Sequence, residues 1–178
     1  MTNDISEQLD ITSASLQEAL TSFLGEHFNK IFSAGSWSAG QVSEHIYKFI
    51  SGVLLQMKAP TVPTSRDPYE KQKALRDTFL DFTVKFQSPE FVLPGNAPVN
   101  KQDIREKLLT VFDKIANTIK TEDISLTTTG FELPGFGPTT RAEWIWFGIY
   151  HTQRHIRQLR NLHADLNAGK VLSDQHQA

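Results

Sequence analysis

The sequence predicts an all-α protein, a four-helix bundle with a long crossover connection and one short extra helix. Three observations carry this. Four long segments repeat apolar residues at three- and four-residue steps, the period of a helix with one buried face. Two of these segments open on capping-box patterns, Ser38 with Gln41 and Thr140 with Glu143. No stretch alternates apolar and polar residues as a half-buried strand does. A chain of 178 residues suits one domain with a sizeable core. That domain is expected to fill residues 1–178, with 1–11 and 170–178 as tails.

The first segment runs from about Thr12 to Phe32, where Leu16, Leu20, Phe23, Leu24, Phe28 and Ile31 share a stripe and Gly35 ends it. The second runs from about Ser38 to Lys58. Ser38 caps it, Trp37 and Val42 are placed for a hydrophobic staple, and Pro60 and Pro63 stop it. Its stripe is Val42, His45, Ile46, Phe49 and Val53. A shorter helix is expected over Tyr69 to Phe82, followed by an irregular stretch punctuated by Pro89, Pro94, Gly95 and Pro98. The third long segment runs from about Asn100, a plausible cap, to Lys120, with Ile104, Leu108, Val111, Phe112, Ile115 and Ile119 on one face. A loop rich in Thr, Gly and Pro follows from Thr127 to Pro138. The last helix starts near Thr140, and Trp144, Phe147, His151, His155, Leu159, Leu162 and Leu166 trace its buried stripe as far as Gly169, a natural terminator. Two of the connections are too long for tight hairpins, so a simple up-down-up-down order is not assured.

Composition narrows the function. Hydrophobic residues make up 39% and charged residues 21%, which excludes a disordered or fibrous chain. A net charge of −2 lacks the basic excess of a nonspecific nucleic-acid binder. The absence of cysteine removes disulfides, thiol nucleophiles and thiolate zinc sites. The polar start, Met1 to Ser15, is unlike a signal peptide, and no apolar run approaches the ~20 residues of a membrane span. A cytoplasmic protein without membrane or nucleic-acid partners is the expectation.

The chemistry lies in the histidines. His151 and His155 are one turn apart, which puts both rings on one helix face with Cβ atoms about 6 Å apart. A third ligand must come from another element, and His45, also on an apolar stripe, leads. An imidazole on a core-facing stripe needs a polar partner. A divalent cation would serve all three at once and keep a coordination position open for water or substrate. The competing reading is of core histidines satisfied by ordinary hydrogen bonds. His27, near the buried side of the first helix, is a lesser candidate. Gln41 could orient a metal-bound water, although capping already explains it. Glu44 points about 100° away from His45. Tyr150 could donate a proton but is offset from the stripe. Trp144 could wall the pocket, Arg154 could pair with a carboxylate, Arg157 reads as a surface charge, and His163 and His176 read as solvated.

The segment Trp37-Ser38-Ala39-Gly40-Gln41-Val42-Ser43-Glu44-His45 resembles the start of the second helix in the DinB-like superfamily, with its Trp-Ser pair and later histidine. Glu143 to Leu159, containing His151-x-x-Arg154-His155-x-x-Gln158, resembles that family's last bundle helix. The resemblance extends to the spacing of helices and loops over most of the chain. It implies a four-helix bundle with a long crossover, commonly dimeric, and a metal held by His45, His151 and His155. Characterised relatives include metal-dependent transferases and isomerases that use low-molecular-weight thiols. One departure is visible. Many relatives carry a His-Pro pair before the last helix, and here Leu133 stands at the histidine position before Pro134. The functional expectation is a metal-dependent hydrolase or thiol transferase acting on a small molecule, with zinc or nickel, or else iron or manganese. The alternative is a non-catalytic metal- or ligand-binding bundle with a stress-response role.

Overall fold

The computed structural model describes residues 4–33 and 35–168. Four long helices form the bundle: α1 (Ile5–Thr21), α3 (Ala39–Met57), α5 (Lys101–Thr121) and α6 (Arg141–Asn167). Two short α-helices, α2 (Gly25–Phe28) and α4 (Gln72–Phe79), and a 3-10 turn at Glu90–Val92 complete the helical set among the described residues. The expected all-α class is therefore what the chain adopts.

α1 begins at Ile5, a turn and a half or more before the expected start. Asp4 caps it by accepting from the Ser6 amide at 2.9 Å. Ile5 and Leu9 are buried, so this stretch, expected as a tail, is helical and sets two of its side chains in the core. The reason is periodic: Ile5, Leu9, Thr12 and Leu16 extend one stripe backwards. The first segment also ends earlier than expected. The Ser22 hydroxyl donates to the Ala19 carbonyl at 2.8 Å and closes α1 there. Phe23 and Phe28 still turn inward, but the interruption swings Leu24 and Ile31 out to solvent. Gly169 and the proposed tail 170–178 lie outside the described residues.

Both capping boxes form. Ser38 Oγ accepts from the Gln41 amide while Gln41 Oε1 accepts from the Ser38 amide. Thr140 and Glu143 repeat the pattern at α6. Asn100 caps α5 as expected. α4 keeps only the middle of its expected span.

Each of α1 and α3 packs against both α5 and α6, and α4 lies on α6. Contacts along the seams give the directions. Thr12 meets Gln153 and Phe23 meets His163, so α1 and α6 run parallel. Arg105 bonds Gln17 and Lys101 bonds the Thr21 carbonyl, so α1 and α5 run antiparallel. The Arg141 guanidinium donates to the Met57 carbonyl at 2.7 Å, which sets α3 antiparallel to α6. α3 and α5 are consequently parallel, and residues 58–100 must carry the chain back the length of the bundle. This is the long crossover. Its return is pinned by Asn29, which bonds both the amide and the carbonyl of Val99.

Two features escaped the periodicity argument. Thr61–Val62 (β1) pairs antiparallel with Thr127–Thr128 (β2). Strands of two residues are too short to show a period. The second is Gly148, where a Cβ would stand 2.8 Å from Ile50 Cδ1. A glycine inside a helix costs about 1 kcal/mol relative to alanine. Here it lets α3 and α6 approach closely one turn before His151. Among the described residues no helix is long and apolar enough to cross a membrane.

Candidate metal centre

The antiparallel α3 and α6 bring His45, His151 and His155 together, with one ring nitrogen from each lying within 4.8 Å of the others. His45 and His151 are buried and His155 is half-buried. His45 Nε2 lies 3.3 Å from His151 Nε2. Two nitrogens bound at about 2.0–2.1 Å to one tetrahedral ion would be about 3.3–3.4 Å apart, so this spacing fits shared coordination.

The outer ring nitrogens set the tautomers. His45 Nδ1–H donates to the Val92 carbonyl at 2.8 Å, leaving a lone pair on Nε2. His155 Nδ1–H donates to Gln158 Oε1 at 2.8 Å, with the same result. His151 Nδ1 is buried and has no hydrogen-bond partner, so this ring finds its polar interaction on the Nε2 side. A buried, half-satisfied imidazole between two others presenting lone pairs is the donor set a divalent cation would complete.

Electrostatics keep the rings neutral. Burial drives His151 well below the usual histidine value, and the neighbouring His155 and His45 add to this. Burial, helped by His45, lowers His155 to about 4 against the opposing bond from Gln158. Burial also lowers His45, opposed by its bond to Val92. Neutral imidazole is the form that binds metal, so little proton competition exists near neutral pH.

Aromatic rings wall the cluster. Phe49 stacks on His151 at 3.5 Å between centroids, with 14° between planes. Trp37 lies 5.0 Å from His45. Phe147 meets Phe49 at 4.8 Å and Phe79 at 4.6 Å. Phe131 and Phe136, from the loop before α6, rest on Trp144 and Phe79.

The other candidates take structural positions. Glu44 pairs with Lys48 at 3.0 Å and accepts from the Gly95 amide. Gln41 caps α3 and donates to the Gly95 carbonyl. His27 sits in α2, 3.7 Å from Glu26. The Tyr150 ring stacks on Trp146 and its hydroxyl accepts from Gln72. Trp144 Nε1 donates to Thr128, and Leu133 is buried. His163 is half-buried with its ring against Phe23, so the expectation of a solvated side chain fails. His176 lies outside the described residues. Among the described residues Arg154 finds no carboxylate in hydrogen-bond contact. It donates instead to the carbonyls of Phe79, Asp81 and Val84. Arg157 lies over the Phe82 ring at 4.2 Å.

Two supporting groups were out of reach of sequence reasoning. The Val92 carbonyl comes from a three-residue 3-10 turn in the crossover, Glu90–Val92, too short to show a period. The Phe49 stack needs tertiary packing. Gln158 was legible as a residue one turn beyond His155.

Comparison with curated proteins gave no match, and comparison with solved structures gave none. The family model of the DinB superfamily matches residues 8–159. That span holds α3 and α5 whole, most of α1 and α6, the crossover and every member of the histidine cluster, and so the chain belongs to the DinB superfamily.

Proposed function

We propose that this protein is a metal-dependent enzyme in which His45, His151 and His155 hold one divalent ion, zinc or nickel before iron or manganese, and which hydrolyses a small molecule or transfers a thiol to it. The observation that carries the reading is the meeting of three neutral imidazoles, one nitrogen of each within 4.8 Å of the others. When bound, such an ion supplies Lewis acidity and makes a nucleophile from water or a thiol near neutral pH. The chain's own residues do the rest. The Val92 carbonyl and Gln158 hold the outer protons of His45 and His155, so both rings keep a fixed tautomer and orientation. Phe49 fixes the plane of His151. Trp37 and Phe147 exclude water from the buried side. His155, the half-buried member, marks the side from which a substrate enters. With no cysteine in the chain, a thiol would have to be a low-molecular-weight cosubstrate. The working form would be a cytoplasmic homodimer.

A second reading has its own support. No carboxylate joins the three histidines among the described residues, and the Tyr150 hydroxyl is engaged by Gln72. A proton-transfer group is thus not at hand, which favours a non-catalytic metal- or ligand-binding bundle with a stress-response role. Elemental analysis of untagged protein tests the site common to both readings. One equivalent of metal, lost in His151→Ala, is expected; metal-free protein, or occupancy unchanged in the variant, overturns them. Esters, amides and electrophile–thiol pairs then separate the two. Turnover that stops on chelation and returns with metal marks the enzyme.

A further inference from the structure

The crossover returns past the histidine cluster through residues 80–95, an irregular segment with one 3-10 turn at Glu90–Val92, and both of its ends are tied to the helical turns that carry the histidines. On the α6 side, Arg154 sits between His151 and His155 in sequence. Its guanidinium donates to the carbonyls of Phe79 at 3.3 Å and Asp81 at 2.8 Å, and to that of Val84. It also lies over the Phe86 ring at 4.9 Å. On the α3 side, four side chains from two turns take hold. His45 Nδ1–H donates to the Val92 carbonyl at 2.8 Å, and Lys48 Nζ donates to the Leu93 carbonyl at 2.7 Å. Glu44 accepts from the Gly95 amide at 2.9 Å, and Gln41 donates to the Gly95 carbonyl at 3.1 Å.

These anchors are polar groups acting on main chain. The segment's own side chains bury little: Phe82, Val84, Phe86, Phe91 and Leu93 are exposed, Val92 is buried, Leu80 is half-buried against the core, and Phe86 stacks on Phe79 at 5.3 Å. A segment with few buried apolar contacts opens at low free energy. Its closed position depends on the anchors, and one anchor is a candidate metal ligand.

We infer that residues 80–95 form a strap across the three-histidine centre whose closure is coupled to metal occupancy through the His45–Val92 hydrogen bond. The inference rests on the metal-binding reading above. Withdrawing electron density from Nε2 makes Nδ1–H a better donor, so a bound cation tightens the hold on the Val92 carbonyl. Coupling is reciprocal, so a closed strap raises affinity for the metal by the same factor. Outer-shell partners of this kind typically alter metal affinity about 10–100-fold. Arg154 is then a positioning residue. By fixing the far end of the strap it keeps the Val92 carbonyl at His45.

The test uses Lys85, exposed near the middle of the strap, and Lys30, exposed in the connection between α2 and α3. The folded full chain is treated with a lysine-specific protease, with and without one equivalent of zinc. Cleavage after Lys85 is measured by mass spectrometry relative to cleavage after Lys30, which cancels any effect of zinc on the protease. Zinc binding is measured in parallel by titration calorimetry. Zinc should slow the Lys85 cut relative to the Lys30 cut by about tenfold. Arg154→Gln loses the planar guanidinium fork and adds no site for the protease. It should quicken the Lys85 cut and weaken zinc binding several-fold. Stoichiometric zinc binding with an unchanged cleavage ratio overturns the strap and leaves the metal reading intact. No zinc binding by the unaltered chain overturns both.

Discussion

At the residue scale, the decisive property is that three imidazoles are held neutral against each other. This has a measurable consequence for the metal-free protein. Folding lowers His155 from the ordinary 6.5 to about 4. Between those values the unfolded chain binds a proton that the folded chain refuses, so stability must fall as pH falls through that window. His151 and His45 are shifted the same way and reinforce the trend. Urea midpoints of chelated protein should be flat above pH 7 and decline from pH ~6.5 towards 4. A midpoint constant across that range would show that the rings are not buried neutral. A second residue-scale prediction concerns Glu143, fully buried and bonded by Arg66 through both nitrogens at 2.6 and 2.7 Å. Arg66→Met strands that carboxylate and should destabilise by about 3 kcal/mol in chemical denaturation. Adding Glu143→Gln should recover part of the loss, because the charge is then gone while an oxygen remains for the Thr140 and Lys71 amides.

At the element scale, the start of α6 joins the crossover to the metal centre. Thr140 Oγ1 accepts from the Glu143 amide and donates to the Pro68 carbonyl at 2.7 Å. Thr140→Ala removes both and should cost about 1–2 kcal/mol, read from thermal or urea unfolding. Thr140→Ser, which keeps the hydroxyl, should recover most of it. Along the same helix Gly148 sets the approach to α3, and α3 answers with Ile50 and, further along, His45. Across the same helix pair, His45 and His151 face each other at 3.3 Å.

At the scale of the whole molecule, the parallel course of α3 and α5 obliges the chain to cross the length of the bundle between them. The crossover is long for this reason, and its return leg passes the cluster and supplies the Val92 carbonyl. The expected homodimer is a statement at this scale too. Sedimentation equilibrium should give twice the 20.1 kDa chain mass. A single-chain mass at tens of micromolar, with metal bound, would remove the dimer from the functional reading without touching the metal site.

The amino-acid sequence by itself determined α3, α5 and α6 and their inward faces, because periodicity, capping boxes and proline stops are local signals; the break after Thr21, which turns Leu24 and Ile31 outward, was not among them. It also determined the pairing of His151 with His155, since helical geometry fixes residues one turn apart. The extension of α1 back to Ile5 was legible in the same stripe and was missed through the polar residues around it. Tertiary structure alone decided the rest. The direction of α3 against α6 brought His45 to the pair, a matter of chain connectivity that no local pattern encodes. The same packing brought Phe49 onto His151 and turned Arg154 to main-chain carbonyls. Backbone groups such as the Val92 carbonyl are chemically alike at every position, so their role emerges only when the fold sets one beside a histidine.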